Sequence, residues 1–311
     1  ALVTGGAGFI GSHLVDRLVR EGADVRVLDD FSTGTERNLA QSRDRVDIRR
    51  ADLRDAATVR ESVAGCDRVF HLAAIPSVHR SVDDPVLTHD INVSGTLGLL
   101  EACRLEGVPR LVLAASCAAY GNAPELPKRE SMPPAPESPY ASQKLMCEEY
   151  CRLYSDLYSV ETVALRFFNV FGPRQDPASD YAAAIPRFVC AALAGDPATI
   201  FGDGEQTRDF VYVEDIATAN LLAADAPDAP GEVINIGGGR RISLNTLVST
   251  IGKLTGSAAV PNHEAARPGD VRHSEADISK ARALIGYEPR IGLETGLERT
   301  VTYFRTAQEN A

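Results

Sequence analysis

The sequence has 311 residues, enough for one large α/β domain or for such a domain carrying a smaller lobe. Its net charge of −11 excludes the broad basic face that non-specific nucleic-acid binding needs, so an anionic ligand must be held by local cations. Only four of the 32 basic residues are lysines (Lys128, Lys144, Lys253 and Lys280), and arginine favours planar, bidentate partners such as phosphate.

Strands are predicted over residues 1–4, 24–29, 46–49, 68–72, 110–115, 162–168 and 232–237, from short runs rich in β-branched and apolar side chains. Helical periodicity is read over residues 9–20, over 88–106 (closed by Gly107 and Pro109), over 140–158 and near 210–224. Strands alternating with helices imply βαβ units on a parallel sheet. After Phe168 the pattern breaks into proline- and glycine-rich stretches with short helices. One unit is therefore expected over residues 1–168 plus about 212–237, and a smaller lobe over about 169–211 plus 238–311. The six cysteines form no CxxC pair and no metal-ligand spacing, a pattern that fits buried thiols in a reducing compartment. No window of about 18 apolar residues and no signal-type leader is found, so no membrane association and a cytoplasmic location are expected.

Gly5, Gly8 and Gly11 give a GxxGxxG spacing between the first strand and the first helix. Glycine there tightens the turn and lets backbone approach a pyrophosphate, which the helix N-terminus faces with its free amides. Asp29 closes the second strand, 18 residues past Gly11. A carboxylate at that place binds ribose hydroxyls and repels a 2′-phosphate, favouring NAD over NADP, with Arg37 the one nearby feature against it.

Tyr140 and Lys144 stand at i and i+4 on a predicted helix and so share a face. A phenol with a reference pKa of about 10 is a poor base at neutral pH, and an adjacent cation brings it toward a useful range. Ser116 ends a predicted strand, where ligands bind in open parallel sheets.

The glycine motif is followed by His71-Leu72-Ala73-Ala74, Asn92-Val93-x-Gly95-Thr96 and Ser116-x-x-x-Tyr120-Gly121. Then come Tyr140-x-x-x-Lys144, Arg166-Phe167-Phe168-Asn169 and Arg208-Asp209-Phe210. In this order they resemble the extended short-chain dehydrogenase/reductase family, in particular its nucleotide-sugar epimerases and dehydratases. The resemblance implies a Rossmann-type doubly wound parallel sheet with a smaller, mainly C-terminal α/β substrate lobe. It implies Ser116, Tyr140 and Lys144 as catalytic residues. It also implies NAD held by the glycine turn with Phe9 and Ile10, by Asp29, by Asp52 and Leu53 at the adenine, and by Ala73, Ala74 and Asn92 toward the nicotinamide. A homodimer through a four-helix bundle, made by the helices over 88–106 and 140–158, is implied as well.

Family members that dehydrate or decarboxylate the sugar carry acidic residues just after the strand-end hydroxyl, whereas here Cys117 and Ala118 follow Ser116. That absence favours reversible oxidation at C4 of a UDP-sugar, an epimerase reaction. A nucleotide-sugar reductase or dehydratase, or a non-catalytic NAD-binding sensor, is the alternative. Arg208 and Arg267 match pyrophosphate contacts of similar epimerases, Asn169 a pyrophosphate or sugar contact, Asp270 a ribose contact, and Ser77 a substrate contact. Ser274 falls where such enzymes carry either a bulky tyrosine or a small residue, and a small one leaves room for an N-acetyl group at C2. Arg187 raises the alternative of a uronate substrate whose C6 carboxylate it pairs with, although Asp176 stands where some uronate epimerases have arginine.

Overall fold

A computed structural model of the protein describes residues 1–177, 183–266 and 271–309. The chain runs β1 (Leu2–Thr4), α1 (Phe9–Arg20), β2 (Val25–Asp29), β3 (Val46–Arg50), α2 (Ala56–Val63), β4 (Arg68–His71), α3 (Val78–Asp83) and α4 (Pro85–His89). It continues with α5 (Gly95–Glu106), β5 (Arg110–Ser116), α6 (Pro139–Tyr158), β6 (Glu161–Phe167), β7 (Asn169–Phe171), α7 (Ala184–Ala194), β8 (Thr199–Phe201) and β9 (Thr207–Tyr212). It closes with α8 (Val213–Asp225), β10 (Val233–Ile236), β11 (Arg241–Ser243), α9 (Leu244–Thr255), β12 (Asn262–Glu264), α10 (Ser279–Ile285) and α11 (Leu293–Glu309).

Seven strands form one parallel sheet in the order β10-β6-β5-β4-β1-β2-β3. This is the doubly wound arrangement, with its switch of winding direction between β1 and β4, where ligands bind at the carboxyl ends of strands. Both faces of the sheet's centre are covered, so its middle strands are nearly continuous apolar runs: β5 and β6 are buried along almost their whole length, whereas the edge strand β3 is partly exposed. One core lies between the sheet and α1 and α8, with Leu14, Leu18, Val27, Ile216 and Leu221. The other lies under α2, α5 and α6, with Val59, Leu99, Leu100, Cys147 and Cys151. A third gathers Phe171, Phe188, Tyr212, Leu247 and Phe304 around the small sheet β11-β9-β7.

The predicted sheet strands lie where the structure has them, to within a residue or two. Two helical expectations are corrected. The helix expected over 88–106 starts earlier, at Pro85 behind the Asp84 cap, and passes through a π-helical turn, Asp90–Ser94, before α5. The helix expected near 210–224 begins only at Val213, because Phe210, Val211 and Tyr212 pair with β7. The helices α2 and α3 were not anticipated. No helix among the described residues is long and apolar enough to cross a membrane.

Candidate active site

The glycine turn is sterically closed to other residues. Gly5 has φ 67°, and a Cβ there would lie 2.7 Å from the Ala73 nitrogen; at Gly11 it would lie 2.1 Å from the Gly5 carbonyl oxygen. Gly8 is the N-cap of α1 and offers no side chain to the first turn. The helix therefore opens on the amides of Phe9, Ile10 and Gly11, the arrangement that receives a phosphate. Beside it, the buried Asp29 accepts from the Ala7 amide at 2.9 Å and the Phe31 amide at 2.8 Å. Burial raises its carboxyl, and each oxygen keeps a lone pair for a ribose hydroxyl. Asp52 is at the surface, forked onto Arg54, while Leu53 is buried against Gly95. These residues fit a dinucleotide, with the donors at its phosphates and the acceptor at its ribose.

The loop after β4 is fastened on both sides. The Ala73 amide donates to Thr4 Oγ1 at 3.3 Å, and Ala74 follows it. Asn92, on the π turn, holds Ile75 by both main-chain groups, accepting from its amide at 2.8 Å and donating to its carbonyl at 3.2 Å. The Asn92 amide nitrogen also donates to Gln143 Oε1 at 2.9 Å, and Gln143 Nε2 donates to Thr88 Oγ1 at 3.0 Å. Buried His71 bridges Thr4 Oγ1 (2.7 Å) and Thr96 Oγ1 (2.8 Å); burial pushes it down to about 3, with the Lys144 cation adding to the effect. Ser77 caps α3, accepting from the Arg80 amide at 3.1 Å.

Ser116, Tyr140 and Lys144 come together at the end of β5. The Ser116 hydroxyl and the Tyr140 phenol are hydrogen-bonded. Ser138 caps α6 and Pro139 occupies its first turn, which suits proline's fixed φ and missing donor. The Tyr140 amide donates to Ser81 Oγ at 3.0 Å, a support that sequence reasoning missed because one serine in a helix carries no signal. Lys144 Nζ donates to the Ala114 carbonyl at 2.8 Å. Burial pushes the phenol up to about 12, with the Ser116 bond pulling it down, and burial also lowers Lys144. The drop in the phenol pKa expected from the Lys144 cation is not found: burial dominates, and the pull toward the ionised form comes from Ser116.

Next to Ser116, burial pushes the Cys117 thiol up to about 11, and Ser274 hydrogen-bonds it. The Ser274 amide is tied to the Thr207 carbonyl at 3.1 Å. Asp209 is fully buried and raised to about 6 by desolvation, against the pull of the Ala276, Gly238 and Gly239 amides bonded to it at 3.0, 2.7 and 3.1 Å. Asn169 Nδ2 donates to the Asp209 carbonyl at 3.2 Å. Arg208 Nη1 reaches the carbonyls of Thr207 (2.9 Å) and Arg272 (3.3 Å), and the Arg272 guanidinium forks onto Asp203 with two contacts of 2.8 Å. Arg187 lies over the Phe201 ring at 5.8 Å. Arg267 and Asp270 lie outside the described residues.

The model of the NAD dependent epimerase/dehydratase family matches residues 1–237. Over 99% of both chains, the protein is 41% identical to the UDP-glucose 4-epimerase of Mycolicibacterium smegmatis. It superposes with TM-score 0.94 on a UDP-glucose 4-epimerase from Thermotoga maritima solved with UDP-glucose, at 39% identity over 99% of each chain. A UDP-N-acetylglucosamine 4-epimerase from Methanobrevibacter ruminantium, solved with UDP-N-acetylmuramic acid, superposes equally well (TM-score 0.94, 40% identity, 98% of each chain). The chain belongs to the NAD dependent epimerase/dehydratase family.

Proposed function

We propose that the protein is a UDP-sugar 4-epimerase, acting on UDP-glucose and UDP-galactose and on their N-acetylated counterparts. The observation that carries this reading is the acid/base inventory around Ser116. Tyr140 is hydrogen-bonded to it, the neighbouring Cys117 thiol stays protonated at neutral pH, and the nearby Asp209 carboxylate is committed to three backbone amides. Elimination of water or loss of a carboxyl group needs further proton chemistry that these residues do not offer. One phenol that takes a proton and returns it suffices for epimerisation.

In this reading Arg208, with Asn169 beside it, holds the diphosphate, as a guanidinium fork is shaped to do. In its ionised form, which the positive charge of an oxidised nicotinamide would favour, Tyr140 removes the proton from the C4 hydroxyl, with Ser116 sharing that hydrogen bond. Bound NAD would supply the redox chemistry the side chains lack, as acceptor and donor of the C4 hydride. The 4-keto sugar turns about its diphosphate link and presents its other face, and Tyr140 gives the proton back to the C4 oxygen. Hydride and proton both return, so the product is an isomer of the substrate. Ser274, small and bonded to Cys117, leaves space at C2 for an N-acetyl group. An apolar groove on α6 formed by Leu145, Met146, Tyr150 and Leu153 supports a second copy packing there, giving a homodimer.

The test offers UDP-glucose, UDP-N-acetylglucosamine and UDP-glucuronate separately to the NAD-loaded protein. The expected result is a C4 epimer of unchanged mass from the first two, without net NADH formation. Release of water or carbon dioxide, or steady NADH consumption, overturns the assignment. Preferential turnover of the uronate, lost selectively in Arg187→Ser, replaces the neutral sugars with the uronate.

A further inference from the structure

The turn that follows β7 is fastened to the dinucleotide helix by groups that none of the chemistry above uses. Arg174 Nη2 donates to Asp16 Oδ2 at 2.6 Å, and the ion pair is almost wholly buried, with side chains 10% and 7% exposed. The other Asp16 oxygen accepts from Ser42 Oγ at 2.5 Å. One turn earlier on α1, His13 Nε2 bonds the Pro173 carbonyl at 3.0 Å, with burial and the Arg174 cation pushing the ring down to about 4. It is therefore neutral at physiological pH and donates that proton.

Two features make this more than incidental packing. Arg174 has φ 68°, a left-handed conformation that a bulky residue holds only when its surroundings over-determine it. A buried ion pair is in turn weak evidence for stability, and is best explained where it selects one geometry. Gln175 Nε2 folds back onto the Val170 carbonyl at 3.3 Å, so the turn is locked to β7 as well as to α1. β7 begins with Asn169 and pairs in parallel with β9, placing Asn169 opposite Phe210, two residues past Arg208.

We propose that the Asp16–Arg174 pair is a positioning device that sets where the strands carrying Asn169 and Arg208 stand relative to the first helix of the dinucleotide site. The proposal rests on the reading of Asn169 and Arg208 as diphosphate ligands. Its effect falls on substrate registration: the nucleotide-sugar is held by β7 and β9 while the dinucleotide's phosphates would sit at the start of α1, and the tie fixes the offset between them.

The test uses full-length Arg174→Gly and Asp16→Asn. Glycine accepts the left-handed backbone without strain, so it keeps the turn's conformation and removes only the tie, and asparagine keeps the shape of Asp16 and removes its charge. Titration calorimetry with UDP alone, which needs no turnover, is expected to show about tenfold weaker binding in both variants, and KM for UDP-glucose is expected to rise by a similar factor, since small misplacements are costly in oriented sites. Bound NAD, read by absorbance after denaturation, is expected to match the wild type. UDP affinity equal to wild type in Arg174→Gly, with only the melting temperature lowered, overturns the proposal, as does loss of NAD with UDP binding intact. Wild-type protein that binds UDP but epimerises no sugar overturns the proposed function and leaves this test standing.

Discussion

Lys144 Nζ donates to the carbonyl oxygen of Ala114 at 2.8 Å, two residues before the serine bonded to Tyr140. The lysine is thereby locked to β5 while the tyrosine one turn earlier on α6 is bonded to Ser116, so sheet and helix together orient both side chains. With burial holding the phenol near 12, Tyr140 is protonated in the protein alone at neutral pH. Tyr140→Phe keeps the ring and removes the proton carrier, and its kcat is expected to fall by about 10²–10⁴-fold with an unchanged melting temperature. Activity within a few-fold of wild type excludes Tyr140 as the base.

His13 supplies a pH signature of stability. Its folded-state pKa is depressed to about 4 from 6.5, so between those values the unfolded chain binds the proton and the native state does not. The stability concerned is complete above about 6.5 and is lost as pH falls toward 4, with a slope of about 1.4 kcal/mol per pH unit. Asp209 works in the opposite direction, because its carboxyl is raised and the native state holds its proton more tightly. Urea unfolding of wild type and His13→Gln between pH 4 and 7 isolates the histidine, since Asp209 is common to both. Parallel curves contradict the assignment.

Glu148 and Arg166 form a buried fork, with Nε to Oε1 at 2.9 Å and Nη2 to Oε2 at 2.7 Å, beneath the Tyr120 ring that lies 4.7 Å from the guanidinium. Removing one partner leaves an uncompensated buried charge, so Glu148→Ala is expected to lose about 3–5 kcal/mol in chemical denaturation. Replacing both by apolar residues of similar volume is expected to recover most of that loss, and an equally unstable double variant shows that the pair itself is favourable.

The groove on α6 supports a prediction about assembly. Met146 is 44% exposed and Leu157 on the same helix 65%, an unusual amount of apolar surface for a helix facing solvent. Met146→Arg is expected to shift the sedimentation coefficient from dimer to monomer. A wild-type protein that sediments as a monomer removes the proposal that this face joins two copies.

Much of the sheet was legible because its central strands are largely apolar and punctuated by glycine and proline, so Val25–Asp29 and Arg110–Ser116 stand out of their surroundings. Ser116, Tyr140 and Lys144 were legible because each stands at the end or on one face of a predictable element. What stayed hidden depends on distant partners. The π turn at Asn92 satisfies groups on Ile75 and Gln143, neither of which marks the local sequence. Phe210–Tyr212 has a helix-compatible pattern that pairing with β7 overrides. Asp16 and Arg174 are far apart in sequence, and nothing in either neighbourhood announces the other.

The strand β10, which completes the sheet against β6, reaches its place only after the chain has formed β7, β8 and β9. During synthesis β6 therefore waits with one edge bare, an apolar strand presenting unpaired amides and carbonyls until residue 236 has left the ribosome. Such an edge is a template for pairing with another chain. Truncation before β10 is therefore expected to yield insoluble aggregates rather than a smaller soluble domain, and splitting the gene for expression is best done elsewhere.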